Sequence, residues 1–280
     1  MSKYAKYLGL GIAGNFALHL AQAGELEEFK DIITAEEAAP KGMFPFYLPF
    51  PHANIQAKEI LSTYPLSSHT IKLPKEKVNV QAEPEVALVC ELTYDNNILC
   101  AIKPTHFGAY NDCSIRVAGA NKISDKKNWG CSSKGFAQEL ISLDTFTDGS
   151  LMDTYSIASY LRRDNKVYAY GENVALRGYS YFYDTLTQWM LNQLNTQKDF
   201  GPLEPINEYI AACGNPTQAI ISIGATRYTE YGEKTFLQTD DEIIIIVYNH
   251  DEISHDMLRT SVEKNEYTGK NISVLAQKII

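Results

Sequence analysis

Cysteine is scarce and scattered. Cys90, Cys100, Cys113, Cys131 and Cys213 form no C-x-x-C pair and are odd in number. A disulfide framework or a thiolate zinc site is therefore not expected, and reduced thiols in a cytoplasm are. Basic charge is also short. Against 34 Asp plus Glu stand only 25 Lys plus Arg, a net charge of −9, which argues against a general nucleic-acid binder needing a basic stripe. Long hydrophobic runs are missing. The longest aliphatic run, residues 243–247, suits a buried strand and is far too short to span a bilayer. Internal repeats, low-complexity tracts and Ser/Gly linkers are absent as well. What is present is ordinary for a globular chain: 45% hydrophobic and 21% charged residues over a length between one and two average domains.

Near the N-terminus, Lys3 and Lys6 precede a largely apolar stretch over residues 8–20, and Ala21-Gln22-Ala23 resembles a cleavage site. That outlines a signal peptide, but Asn15, His19 and three glycines within the stretch argue against it. Asn15 is expected to cap a helix beginning at Phe16. Residues 43–51, with prolines at 45, 49 and 51, are expected to be ordered and non-helical. Residues 78–92 and 97–102 read as extended, and residues 104–114 as a loop. Residues 155–161 and 167–170 read as a hairpin about Asp164-Asn165-Lys166. Residues 181–194 form a helix candidate, with Leu186, Met190 and Leu194 four apart. Residues 219–223 and 242–248 are expected strands. Strands do not alternate regularly with helices, so the pattern favours α+β over a doubly wound sheet.

Gly9-Leu10-Gly11-Ile12-Ala13-Gly14 is a literal G-x-G-x-x-G. A dinucleotide site would need a strand before it and an acid ending a second strand about twenty residues on. The preceding segment is short and half polar, and Asp31 follows the acidic Glu25-Leu26-Glu27-Glu28-Phe29-Lys30. Two of three context requirements fail, so a nicotinamide-binding oxidoreductase through residues 9–14 ranks third.

The sharper signal is Glu83-Pro84-Glu85. In a strand, residues i and i+2 share a face, and two close carboxylates repel unless a cation lies between them. Further on come Asp112-Cys113-Ser114-Ile115-Arg116, Trp129 and Lys134-Gly135-Phe136. Taken singly these are a turn aspartate, a core tryptophan and a surface lysine. In this order they resemble the fumarylacetoacetate hydrolase family, which carries a Glu-x-Glu strand. About thirty residues later it has an Asp-x-Ser-x-Arg stretch, then a Trp and a Lys-Gly/Ser-Phe. Gly14-Asn15-Phe16-Ala17-Leu18-His19 resembles the family's opening Asn-Tyr/Phe-Ala-x-His. Gly224-Ala225-Thr226 resembles its Gly-Thr loop, and Phe236-Leu237-Gln238-Thr239-Asp240-Asp241 its Leu-x-x-Gly-Asp turn.

The resemblance implies a β-rich mixed sandwich or roll with flanking helices, usually a homodimer. It implies an N-terminal arm with a lid-like helix over residues 1–70, and a catalytic roll over residues 71–280. Glu83, Glu85 and Asp112 would hold Mg²⁺ or Mn²⁺, with Ca²⁺ an alternative; three carboxylates independently suit a hard divalent ion. The substrate would be a small 2-oxo or β-diketo carboxylic acid, with no nucleic-acid or membrane partner. The reaction would be C–C hydrolysis, decarboxylation or enol–keto isomerisation, with the metal as Lewis acid toward the enolate. Lys134 would stabilise the oxyanion, His19 would move protons or orient water, and Arg116 and Thr226 would contact substrate.

The sequence also departs from the family. The Glu expected three residues after the helix His is Gln22, which can orient His19 but cannot take its proton. Glu25 could replace it only through a bend. Gly119 stands where a Gln is common and Ala137 where an Asp is. Phe46-Tyr47-Leu48-Pro49 lacks the expected lysine. Gln22 tilts the reading from hydrolysis toward decarboxylation or isomerisation. The four departures together keep open a non-catalytic, metal- or ligand-binding member of the same fold.

Overall fold

The structure, a computed structural model, describes residues 3–34, 36–50, 59–117, 119–267 and 269–280. Its larger sheet runs in the order Gly42–Tyr47, Leu8–Ala13, Gln218–Ser222, Pro84–Asp95, Ile98–Asn111, Lys134–Phe136 and Leu66–Ser67, with Ile141–Ser142 added beside Ile98–Asn111. The smaller sheet runs Lys166–Ala175, Tyr155–Arg163, Glu242–Asn249, Ile272–Ile279 and Thr70–Ile71. A short ladder joins Asn79–Gln81 to Ser114–Arg116. Most pairs are antiparallel; Leu8–Ala13 beside Gln218–Ser222 is parallel. This is the expected β-rich α+β roll with flanking helices. No helix among the described residues is long and apolar enough to cross a membrane.

Period-two alternation builds the core. In Glu242–Asn249, Ile243, Ile245 and Val247 face the core shared by both sheets, with Leu88 and Cys90 opposite. Ile244, Ile246 and Tyr248 face outward and are covered by Leu258 and Val262 of the helix His255–Lys264. The unbroken isoleucine run thus reflects a strand buried on both faces.

The element that positions the site is a long hairpin, Pro84–Asp95 with Ile98–Asn111. Asn96 and Asn97 turn it, with φ of 48° and 65°, the left-handed geometry such two-residue turns demand. Pairing places Glu85 opposite Tyr110 and Pro84 opposite Asn111, and Asp112 N donates to Glu83 O at 3.0 Å. Residues about thirty apart in sequence are therefore neighbours at the hairpin's open end.

Several expectations need correction. Residues 104–111 belong to a strand, not a loop; Pro104 is tolerated because it pairs with Cys90 at a register irregularity. Asn15 caps no helix. It is buried, its amide donating to Tyr181 O and Ile223 O and accepting from Tyr181 N. The helix itself is only His19–Gln22, following Leu18 at φ 69°. Residues 43–50 are non-helical as expected and include a buried strand; Pro51 lies outside the described residues. The hairpin about residues 164–165 and the helix Tyr183–Thr196 form as expected. The helices Ile206–Ala212 and His255–Lys264 had no counterpart in the sequence reading.

Gly9 to Ala13 of the glycine motif lie in the strand Leu8–Ala13, and Gly14 follows it at φ 77°. A Cβ on Gly9 would lie 2.3 Å from the Phe46 ring, and one on Gly11 2.3 Å from the Phe44 ring. The glycines make room for aromatic rings, so no phosphate can approach their backbone. Gly9→Ala is accordingly expected to cost about 1–3 kcal/mol through overpacking, read by urea unfolding. NAD(H) and NADP(H) are expected to leave the melting temperature unchanged.

Burial also sorts the thiols. Cys100 and Cys131 are exposed, Cys90 and Cys113 buried, Cys213 between. Burial pushes Cys113 up to about 12 and Cys213 up to about 11. Two thiols per native chain are expected to react rapidly with a disulfide reagent at pH 8, and all five after denaturation.

Candidate metal centre

Glu83, Glu85 and Asp112 converge. Each offers a carboxylate oxygen within 4.8 Å of the others, and all three side chains are buried. Glu85 lies in the strand Pro84–Asp95 and Glu83 immediately before it, where its carbonyl accepts from Asp112 N, so the hairpin closure brings all three together. The backbone is pinned by Asn111, whose Oδ1 accepts from Glu83 N while its amide donates to Gln277. Gly224 N donates to Glu85 Oε2 at 3.1 Å.

Cations surround the triad. Lys134 Nζ lies 2.9 Å from Asp112 Oδ1 and donates to Cys113 O at 2.6 Å. The antiparallel pair Asn111 with Gly135 brings it there. Arg116 Nη2 lies 2.8 Å from Glu83 Oε1. Lys127 Nζ bridges Glu83 Oε2 at 2.7 Å and Asp112 Oδ2 at 2.6 Å. Sequence reasoning missed Lys127. In the run Lys126-Lys127-Asn128 it looks like a solvated pair, and no spacing distinguishes it. The turn Ile123–Lys126 instead drives both lysines inward, and the Asn128 amide anchors the segment by donating to Phe46 O and Thr63 O.

The charges set the titration of the group. Burial would raise Glu83, but Lys127 and Arg116 outweigh it and hold this carboxyl well below the usual range. Glu85 is pushed well above that range by burial and by Asp112 and Glu83 beside it. Burial lowers Lys134 against the pull of Asp112, and Lys127 adds to the lowering. Lys127 stays firmly charged: Asp112 and Glu83 overcome its burial. Among the described residues Glu85, unlike Glu83 and Asp112, has no ion-pair partner, so a cation placed among the three carboxylates would favour its charged form. Among the described residues, Glu83 Oε1 and both Asp112 oxygens are met only through their ion pairs with Arg116, Lys127 and Lys134. An oxygen-only donor set of this kind fits a hard divalent ion.

His19 lies at the edge of this cluster. Its Nδ1 is 2.9 Å from Thr226 O; with that carbonyl as acceptor, Nδ1 carries the proton and Nε2 keeps a lone pair. Among the described residues Nε2 is buried without a partner, and burial lowers the imidazole's proton affinity. Gln22 does not bond His19. Its amide clamps the backbone of Tyr228, donating to O and accepting from N. Glu25 accepts instead from Arg116 and Lys126, each at 2.8 Å. Thr226 N and Oγ1 both donate to Pro84 O. Arg116 is spread over Gln81, Glu25, Tyr228 and Glu83. A further hydroxyl, Tyr110 Oη, is buried with no hydrogen-bond partner among the described residues, within electrostatic reach of Asp112 and Glu85.

The model of a family described as "Family of unknown function (DUF5718)" matches residues 25–279. No curated protein matches the sequence. Solved structures do resemble the fold. A provisionally assigned fumarylacetoacetate hydrolase family protein from Yersinia pestis CO92 is 13% identical, with a TM-score of 0.52 covering 98% of this chain and 93% of that one. A 2-keto-3-deoxy-D-arabinonate dehydratase complexed with magnesium and 2,5-dioxopentanoate is 14% identical, with a TM-score of 0.52 covering 97% and 72%. A 5-carboxymethyl-2-hydroxymuconate delta-isomerase from Mycobacterium smegmatis is 11% identical, with a TM-score of 0.52 covering 98% and 78%. These likenesses place the chain in the fumarylacetoacetate-hydrolase-like fold and speak to the fold alone.

Proposed function

The chain belongs to the DUF5718 family, and from that premise we propose that it is a metal-dependent enzyme that processes a small 2-oxo carboxylic acid. The observation that carries the reading is the convergence of three buried carboxylates, Glu83, Glu85 and Asp112, on one point. They would hold a divalent ion, Mg²⁺ or Mn²⁺, which when bound supplies Lewis-acid charge to the substrate's oxygens. Lys134, fixed by Asp112 and Cys113 O, adds positive charge where an enolate oxygen develops. His19, neutral and presenting a free Nε2, accepts or returns the proton at carbon. Arg116 and Thr226 set the walls against which the acid's carboxylate is oriented.

The commitment of Gln22 to Tyr228 favours lyase or isomerase chemistry over hydrolysis. A hydrolase must activate water, and the partner of the imidazole Nδ1 is the Thr226 carbonyl, not a carboxylate. The dehydratase and isomerase among the fold's relatives are consistent with that choice. The homodimer and the cytoplasmic location belong to the same proposal. Purified protein is expected to turn over at least one member of a panel of 2-oxo acids and acylpyruvates. Activity should vanish with a chelator and return with Mn²⁺. A panel with no metal-dependent turnover would leave the ligand-binding reading, which the closed, charge-compensated state of the cluster also supports.

A further inference from the structure

Lys127 stands apart from the other cations of the site. Lys134 and Arg116 each meet one oxygen of one carboxylate of the triad. Lys127 alone bridges two of the three carboxylates, Glu83 at 2.7 Å and Asp112 at 2.6 Å. It is 3% exposed, and the anchored segment around Asn128 leaves its side chain directed into the cluster. A divalent ion coordinated by the same carboxylates would lie about 2.0–2.6 Å from their oxygens. That position falls within a few ångströms of the ammonium, in a cluster too buried for water to screen two like charges.

We propose that Lys127 is a built-in competitor for the divalent ion: the ammonium and the metal are alternative occupants of the Glu83–Asp112 gap, and metal enters only as Lys127 withdraws. This rests on the metal reading above and adds how occupancy of the site is controlled. A place for the displaced ammonium lies nearby. Nζ is already 5.2 Å from the centroid of the Phe44 ring, and an aromatic face attracts a cation that has left its carboxylates. The arrangement lets the chain fold with its carboxylates compensated before metal arrives. It also makes metal affinity lower than three buried carboxylates alone would give.

The test is Mn²⁺ titration of the chelator-stripped chain by calorimetry, with free Mn²⁺ followed by electron paramagnetic resonance. Wild type, Lys127→Met and, as a control for net charge, the exposed Lys103→Met are compared. Lys127→Met is expected to bind one Mn²⁺ per chain at least tenfold more tightly than wild type, with Lys103→Met unchanged. Its melting temperature without metal should fall below that of wild type and be regained with Mn²⁺. If the Met chain does not fold without metal, Lys127→Gln, which keeps a neutral donor for the two carboxylates, gives the same comparison. Equal Mn²⁺ affinity in wild type and the Lys127 variant overturns this inference while leaving the metal site standing. No Mn²⁺ bound by either chain overturns the metal reading and this inference with it.

Discussion

Asp112→Ala is expected to lower the unfolding free energy by about 3–5 kcal/mol, the scale for removing one partner of a buried ion pair. Asp112 faces both Lys127 and Lys134, at 2.6 and 2.9 Å, and all three side chains are buried. Without it two ammonium groups confront each other, Lys127 keeping Glu83 and Lys134 the Cys113 carbonyl. The measurement is urea unfolding in chelator. An exposed pair such as Arg259 and Glu263 serves as the contrast, where substitution should leave the midpoint within error. The variant should also lose the gain in melting temperature that Mn²⁺ gives wild type. An Asp112→Ala chain that unfolds at the wild-type midpoint and still responds to Mn²⁺ would remove Asp112 from the site.

Glu83→Gln is expected to lower kcat/KM at saturating Mn²⁺ by about a thousandfold or more, since loss of a charged metal ligand forfeits several kcal/mol of transition-state stabilisation. Glu83 is both a member of the triad and the partner of Arg116 and Lys127. The amide keeps the shape while removing the charge those two cations answer. Steady-state kinetics on a substrate found in the panel, with circular dichroism to establish folding, decides it. Turnover within tenfold of wild type in a folded variant would separate the triad from catalysis.

Part of the site was legible in strand geometry: period two puts Glu83 and Glu85 on one face. Asp112 and Lys134 were reached only through the family resemblance, because residues 104–114, rich in Gly, Asn and Asp, read as a loop and hid the hairpin turned at Asn96-Asn97 that returns the chain to Glu83 and Glu85. Lys127 was not legible, because nothing in Lys126-Lys127 separates a buried pair from a solvated one. The inward turn is set by Asn128 bonding to Phe46 and Thr63, residues far away in sequence. Gln22 was expected beside His19 from helical spacing. The helix is a single turn, so its amide meets Tyr228 instead, and the carbonyl of Thr226 orients the imidazole.

The fold followed the same division. Alternation and turn chemistry marked the hairpin about Asp164-Asn165 and the isoleucine strand. That strand's unbroken apolar run carried a clue to the helix His255–Lys264, since a strand apolar on both faces must be covered on both. Gly9 and Gly11 illustrate the opposite case. Their pattern matches a phosphate loop, yet Phe46 and Phe44 fill the space beside them. Which neighbour a glycine admits depends on tertiary packing, which a local motif does not encode.

Glu83, Glu85 and Asp112 are expected to hold one divalent ion. Crystals grown with Mn²⁺ and measured at a wavelength with strong manganese anomalous scattering test it most directly. The expected result is a single anomalous peak among the three carboxylates, with the Lys127 ammonium moved off Glu83 and Asp112. Saturating Mn²⁺ with no peak there, and Lys127 still bridging both carboxylates, would contradict the account.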